Sequence, residues 1–239
     1  MIVSHKYQFA LLSPWKTASS TSNARLEKYN DSTYSRFYYY NSHLQRVVTQ
    51  HITYADFSFL PESRLNYLTG TFVRNPYDRV YSGFLQLQRD IQQQPSAIFE
   101  NNWVKKLVLR QLAENFAQIA AGEFDFDKWF WSVEDYQIYD VGRNSSFPLH
   151  PAHYWTGIDR EQKIDFVGKV ECFEHDFDIF CKKVNITLSG ERVNANVSGN
   201  SVHEEFSYPR YINLMSAASI SKINTIFSDD FDLFKYEKF

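Results

Sequence analysis

Phe72-Val73-Arg74-Asn75-Pro76-Tyr77-Asp78-Arg79-Val80-Tyr81-Ser82-Gly83-Phe84 reads as a strand turning a corner into an amphipathic helix. The apolar run ends at Arg74. Asn75 suits an N-cap, Pro76 the first helical position, and Asp78 the positive end of the helix dipole. Tyr77, Val80, Tyr81 and Phe84 then recur at i, i+3, i+4 and i+7, and the pattern runs to about Ile91. At about 100° per residue Ser82 falls about 140° from Tyr77, on the flank of that stripe. A strand thus delivers a guanidinium and the next helix a hydroxyl, the makings of an anion clamp. A plain corner with a surface arginine fits the same residues.

A second corner of this kind lies upstream. Residues 7–12 form a mostly apolar run, the first expected strand, which ends at Ser13-Pro14. Lys16-Thr17-Ala18-Ser19-Ser20-Thr21-Ser22 is small and polar, and residues 24–29 make a fair helix start. Small residues between strand and helix let N–H groups converge on an anion, and a lysine at the loop entrance reaches the same charge. The alternative is an ordinary turn capped by Ser and Thr. Further strands are expected at 66–73 and 165–170. Helices are expected at 101–121, 125–136 (Trp129, Phe130 and Val133 inward), 173–184 and 208–227. Residues 142–151 and 191–201 read as loops, and 30–41 carry no clear pattern. Strands alternating with helices predict an α/β fold with a mostly parallel sheet flanked by helices, as a single domain over residues 1–239. In such a sheet both corners would lie at the carboxyl edge, where ligands of open α/β folds bind.

Composition narrows the function. The chain has 239 residues and a net charge of −3, so no global field favours nucleic acid or an anionic membrane. Its largest basic cluster, Lys105, Lys106 and Arg110, reads as a solvated helix face. The 21 Phe and 16 Tyr fit a packed core and sugar-stacking surfaces. Two cysteines, Cys172 and Cys181, indicate neither a disulfide framework nor a zinc site. No apolar run approaches about 18 residues, so no transmembrane segment is expected, and the N-terminus lacks a signal-peptide pattern. Asn30, Asn144, Asn185 and Asn196 open N-x-S/T sites that matter only along a secretory route. Neither the G-x-x-x-x-G-K-[ST] nor the G-x-G-x-x-G phosphate loop occurs.

Lys16-Thr17-Ala18-Ser19-Ser20-Thr21 resembles the 5′-phosphosulfate loop of sulfotransferases that use 3′-phosphoadenosine-5′-phosphosulfate (PAPS). Arg74 and Ser82, eight residues apart, are similar to that family's 3′-phosphate motif. His51-Ile52-Thr53-Tyr54-Ala55-Asp56-Phe57 resembles the histidine segment of the carbohydrate branch, above all the uronosyl 2-O-sulfotransferases. Val167-Gly168-Lys169-Val170-Glu171 and Asp230-Phe231-Asp232-Leu233-Phe234-Lys235-Tyr236 also resemble membrane-type carbohydrate sulfotransferases. The likeness spans 9–236. It departs at Trp15, where the family usually has proline, and at Thr49, where the 2-O-sulfotransferases carry a second histidine.

The resemblance implies a P-loop-like sulfotransferase fold and sulfuryl transfer from PAPS to a hydroxyl of a carbohydrate or glycoconjugate. It assigns Lys16 to charge on the bridging oxygen and departing phosphate. Thr17, Ala18, Ser19, Ser20 and Thr21 would hold the 5′-phosphate, and Arg74 with Ser82 the 3′-phosphate. No metal is called for. His51 is the candidate general base. His150 and His153 are alternative bases or acceptor contacts, and Glu62 and Asp56 are carboxylate candidates. Tyr154 and Trp155 would stack on a sugar or the adenine, or else pack in the core. Asn194 and Asn196 lie in a loop similar to one near the family's nucleotide and are not assigned to the site. Two rival readings remain, a glycan-binding module with a decayed site and a P-loop-type nucleotide phosphotransferase. The chain starts close to its first strand with no anchor, so a cytoplasmic, microbial-type enzyme is expected over a Golgi-lumenal catalytic domain lacking its anchor. Nothing in the sequence specifies an oligomeric state.

Overall fold

A computed structural model describes residues 1–34, 38–92, 125–133, 150–188 and 209–239. The helix expected at 101–121, the cluster of Lys105, Lys106 and Arg110, the loop at 191–201 and nearly all of that at 142–151 lie outside the described residues. So do Asn144, Asn194 and Asn196. The strands in chain order are β1 (Ile2–Ser4), β2 (Phe9–Leu12), β3 (Tyr38–Asn41), β4 (Arg46–Thr49), β5 (Leu68–Val73), β6 (Gly157–Ile158), β7 (Glu161–Gln162) and β8 (Phe166–Lys169). The α-helices are α1 (Ser19–Leu26), α2 (Tyr54–Phe57), α3 (Pro76–Gln92), α4 (Phe126–Ser132), α5 (Phe173–Lys183), α6 (Ala217–Ile226) and α7 (Ser228–Phe234). They divide between two compact units, Met1–Asn75 with Ala152–Ser207, and Pro76–Pro151 with Tyr208–Phe239.

The first unit holds an α/β sheet in the order β1-β2-β5-β8. β2, β5 and β8 run parallel, with Leu11 opposite Gly70 and Phe72 opposite Gly168. β1 adds an antiparallel edge, with Val3 opposite Ala10. All four residues of β2 are fully buried, as a strand covered on both faces requires. Alternation then sorts them. Phe9 and Leu11 join Leu26 of α1 and Phe177 and Phe180 of α5 on one face. Ala10 and Leu12 join Ile52, Phe57, Leu60 and Trp155 on the other. Burial of each large apolar side chain is worth about 1.5–3 kcal/mol, so β2 anchors both layers. Gly70 is needed beside α5, because a Cβ there would lie 2.9 Å from the Phe180 ring.

Several expected boundaries move. The first strand is β1, not the run at 7–12, and β2 begins only at Phe9 because Gln8 adopts φ 54° in the connecting turn. A three-residue strand has too little periodicity to read. α1 starts at Ser19, five residues before Ala24, because the small polar residues wind into the first turn instead of preceding it. The patternless stretch 30–41 ends in β3, which pairs antiparallel with β4, Tyr38 opposite Thr49.

In the second unit α3 begins at Pro76 as expected and buries Tyr77, Val80 and Phe84. Asp78 accepts the Tyr211 N–H at 3.0 Å. Tyr81 stacks on Phe126 and on Tyr211, with ring centroids 4.8 Å away in each case. α4 begins after Asp125, whose side chain accepts the Lys128 N–H, and stops at Ser132 because Val133 is extended. The single helix expected at 208–227 is instead a 3₁₀ turn at Ile212–Leu214, then α6, then α7. Ser216 starts α6 by accepting the Ser219 N–H, and its own N–H and hydroxyl donate to Asp127. Among the described residues no helix is long and apolar enough to cross a membrane.

Candidate active site

β2 releases the chain at its carboxyl end into Ser13 and Pro14, both buried. Lys16 and Ala18 follow with φ 65° and 60°, in the left-handed region. Neither is glycine, so each costs on the order of 1–2 kcal/mol. Such strain collects at ligand clamps. Between them Thr17 is 1% exposed, and its hydroxyl donates to the Pro14 carbonyl at 2.8 Å. Left-handed residues in such a loop are a component of the anion nests built from main-chain N–H groups. α1 then starts with no side-chain cap and no acidic residue in its first turn. The first N–H groups of a helix have no intrahelical acceptor. Ser19, Ser20 and Thr21 therefore open a helix end whose polarity suits a phosphate.

The loop has firm footings. Arg25 near the end of α1 donates to both carboxylate oxygens of Glu174 on α5, at 2.6 and 2.9 Å. Its guanidinium also lies over the Phe173 and Phe177 rings, 5.4 and 5.3 Å from their centroids. Lys16 is half-buried with Nζ 5.9 Å from the Trp15 ring, so the residue that departs from the family pattern shelters the lysine.

His51 follows β4, and its Nδ1 lies 2.7 Å from the Ser13 carbonyl oxygen. A carbonyl only accepts, so Nδ1 carries the proton and Nε2 the lone pair. The Thr49 hydroxyl oxygen accepts the His51 backbone N–H at 3.1 Å and so helps to orient the main chain there. The pKa of the His51 imidazole is pushed down to about 4, first by desolvation and further by the Met1 amine and the Lys16 ammonium. The Ser13 hydrogen bond opposes this in part. At neutral pH the ring is an uncharged acceptor.

Arg74 leaves the carboxyl end of β5, the parallel neighbour of β2. It is half-buried, and its guanidinium has no hydrogen-bond or ion-pair partner among the described residues. Thr71 ties the two strand ends together by donating to the Leu12 carbonyl at 2.9 Å. Glu171, just past β8, accepts the Asn75 N–H at 2.7 Å and shapes the corner after Arg74. Within the first unit, the carboxyl ends of β2 and β5 thus lead into Lys16 and Arg74, and His51 is bonded to the end of β2. Ser82 belongs to α3 in the second unit, where it is half-buried and its hydroxyl has no hydrogen-bond partner among the described residues.

Other candidates are occupied. Asp56 pairs with Arg46, and Glu62 accepts the Tyr34 hydroxyl at 3.0 Å. Trp155 is core at 1% exposure, and Tyr154 packs against the same cluster. His153 is half-buried with its ring 4.4 Å from that of Tyr154. His150, in the second unit, is buried, and its carbonyl accepts a hydrogen bond from Arg79. Sequence reasoning missed Ser13, which acts through its main chain and leaves no side-chain signal. It also missed Gln50 and Asn23, ordinary polar residues until they are placed near His51. Among the described residues no three His, Cys, Asp or Glu side chains gather as a metal site.

A family model described as "Sulfotransferase family" matches residues 1–237 and runs through both units. No curated protein and no solved structure matches the chain.

Proposed function

The chain belongs to the sulfotransferase family, and on that premise we propose that it moves a sulfuryl group from PAPS to a hydroxyl of a carbohydrate or glycoconjugate. The observation that carries this reading is the bond from His51 Nδ1–H to the Ser13 carbonyl. It ties a neutral imidazole, lone pair on Nε2, to the strand end from which the Lys16 loop departs.

The acceptor hydroxyl loses its proton to Nε2 of His51 as its oxygen forms a bond to sulfur. The bond from sulfur to the bridging oxygen breaks in line, and its electron pair leaves on the 5′-phosphate of 3′-phosphoadenosine-5′-phosphate. The sulfuryl group needs little covalent help, so the protein's task is alignment and charge stabilisation. Lys16 neutralises the departing phosphate, and the N–H groups of residues 17–21 hold it. Arg74 takes the 3′-phosphate. Ser82 is assigned to the same phosphate by the sequence motif. A base at about 4 is fully available at neutral pH but a weak proton acceptor. Anionic phosphates bound beside it favour the imidazolium and lift that value toward neutrality. Donor binding would therefore raise the basicity of His51.

The test is a screen of glycan and small-alcohol acceptors with a radiolabelled sulfuryl donor, run with wild type and His51→Ala. Labelled glycan with wild type and none with the variant is the expected result. Label confined to non-carbohydrate alcohols would replace the acceptor class. Full turnover by His51→Ala would remove the base.

A further inference from the structure

His51 Nε2, the atom that the proposed reaction uses, is not bare. Gln50 Nε2 lies 3.5 Å from it, and the Gln50 Oε1 accepts from Asn23 Nδ2 on α1 at 3.3 Å. The far end of this chain is unfinished, because Asn23 Oδ1 is buried with no hydrogen-bond partner among the described residues. A buried acceptor left unmatched is costly, so such an atom calls for an explanation.

We propose that Asn23 and Gln50 are positioning residues that form a two-amide relay to His51, with one setting for each protonation state of the imidazole. In the setting seen here Asn23 donates to Gln50, and the Gln50 amide N–H faces the lone pair of neutral His51. The long contact to Nε2 is weak enough for an acceptor hydroxyl to displace. Once His51 has taken the acceptor's proton, Nε2–H needs an acceptor. Rotating both amides by half a turn supplies it. Gln50 Oε1 then faces Nε2–H, Gln50 Nε2 donates to Asn23 Oδ1, and Asn23 Nδ2 takes the unmatched place that Oδ1 leaves. No proton passes through the amides; only their orientation changes. The relay also ties the base to the helix that opens with the phosphate loop.

The inference rests on the reading of His51 as the base, but its geometry can be checked without turnover. The charges acting on His51 are the Met1 amine, whose nitrogen also contacts the Gln50 carbonyl, and the Lys16 ammonium. The Thr49 hydroxyl and the Ser13 carbonyl are its neutral polar neighbours.

The experiment is ¹⁵N-imidazole NMR titration of the full chain, in wild type, Gln50→Ala, Asn23→Asp and the double variant. Wild type should show Nδ1 protonated and Nε2 unprotonated above the midpoint. Gln50→Ala removes a donor that favours the neutral ring and admits water, so the midpoint should rise by about one unit, a tenfold change. Asn23→Asp offers only acceptors, turns the Gln50 oxygen toward His51, and should raise the midpoint at least as far. In the Gln50→Ala background the effect of Asn23→Asp should fall severalfold, since the intermediary is gone. The opposite wild-type tautomer, an unmoved midpoint in Gln50→Ala, or an Asn23→Asp shift independent of Gln50 would each overturn the relay. If these shifts appear while His51→Ala retains turnover, the relay stands and the assignment of His51 as base fails.

Discussion

Replacing Arg74 with alanine should separate binding from stability more cleanly than any other change in the site. The side chain is half-buried and has no hydrogen-bond or ion-pair partner among the described residues, so its loss breaks no polar contact with them. Stability should stay within about 0.5 kcal/mol of wild type, as for surface positions without such contacts. Binding is a different matter. A guanidinium about 4 Å from a phosphate charge, at an effective dielectric of about 20, gains about 4 kcal/mol. Desolvating the arginine and screening by salt oppose this, and charged hydrogen bonds measured by substitution contribute about 1.5–3 kcal/mol. Affinity for 3′-phosphoadenosine-5′-phosphate should therefore fall about 10–150-fold, at about 1.4 kcal/mol per factor of ten. AMP lacks the 3′-phosphate, so its affinity should barely change. Calorimetry with both nucleotides, beside urea denaturation of the variant, reads all three quantities. Equal losses for the two nucleotides would show that Arg74 does not read the 3′-phosphate. A large loss of stability would show that the arginine has a structural role instead.

The His51 shift makes a pH prediction with a definite sign. Its folded pKa is about 4 against an ordinary value of 6.5, so the unfolded chain gains a proton first as pH falls. The stability tied to neutral His51 is present above 6.5 and lost as pH falls toward 4. Between about pH 7 and about pH 5 this amounts to about 2 kcal/mol, which urea denaturation should find as the difference between wild type and His51→Ala, because the Met1 amine, pushed down to about 5 by burial, titrates in both. Gly70→Ala should destabilise by about 1–3 kcal/mol through overpacking against Phe180, with repair in part by Phe180→Leu. In the second unit, Arg79 is fully buried, 3.8 Å from Asp230, and donates to the His150 carbonyl. Arg79→Leu leaves Asp230 buried without that cation and should cost about 3–5 kcal/mol in chemical denaturation. Adding Asp230→Asn to Arg79→Leu removes the stranded charge, so the double variant should recover much of that loss in a mutant cycle.

Local signals were enough for some of this protein. Asn75-Pro76 marked the start of α3, the run into Leu12 marked the central strand, and Arg74 and Lys16 could be set after strands because apolar runs stop there. These signals are short-ranged, since capping, proline geometry and apolar periodicity act over one or two turns. Tertiary structure decided the rest. β1 is a strand because it pairs with β2, and three residues alone carry no period. The turn of Ser and Thr that opens α1 has weak helix propensity and winds because Arg25 and Leu26 are held against α5 and the core. The protonated nitrogen of His51 is set by a carbonyl 38 residues away, and its low basicity by desolvation that only packing creates. The residue types were therefore legible in the sequence. Their protonation and partners come from main-chain atoms and burial, which side-chain patterns do not encode.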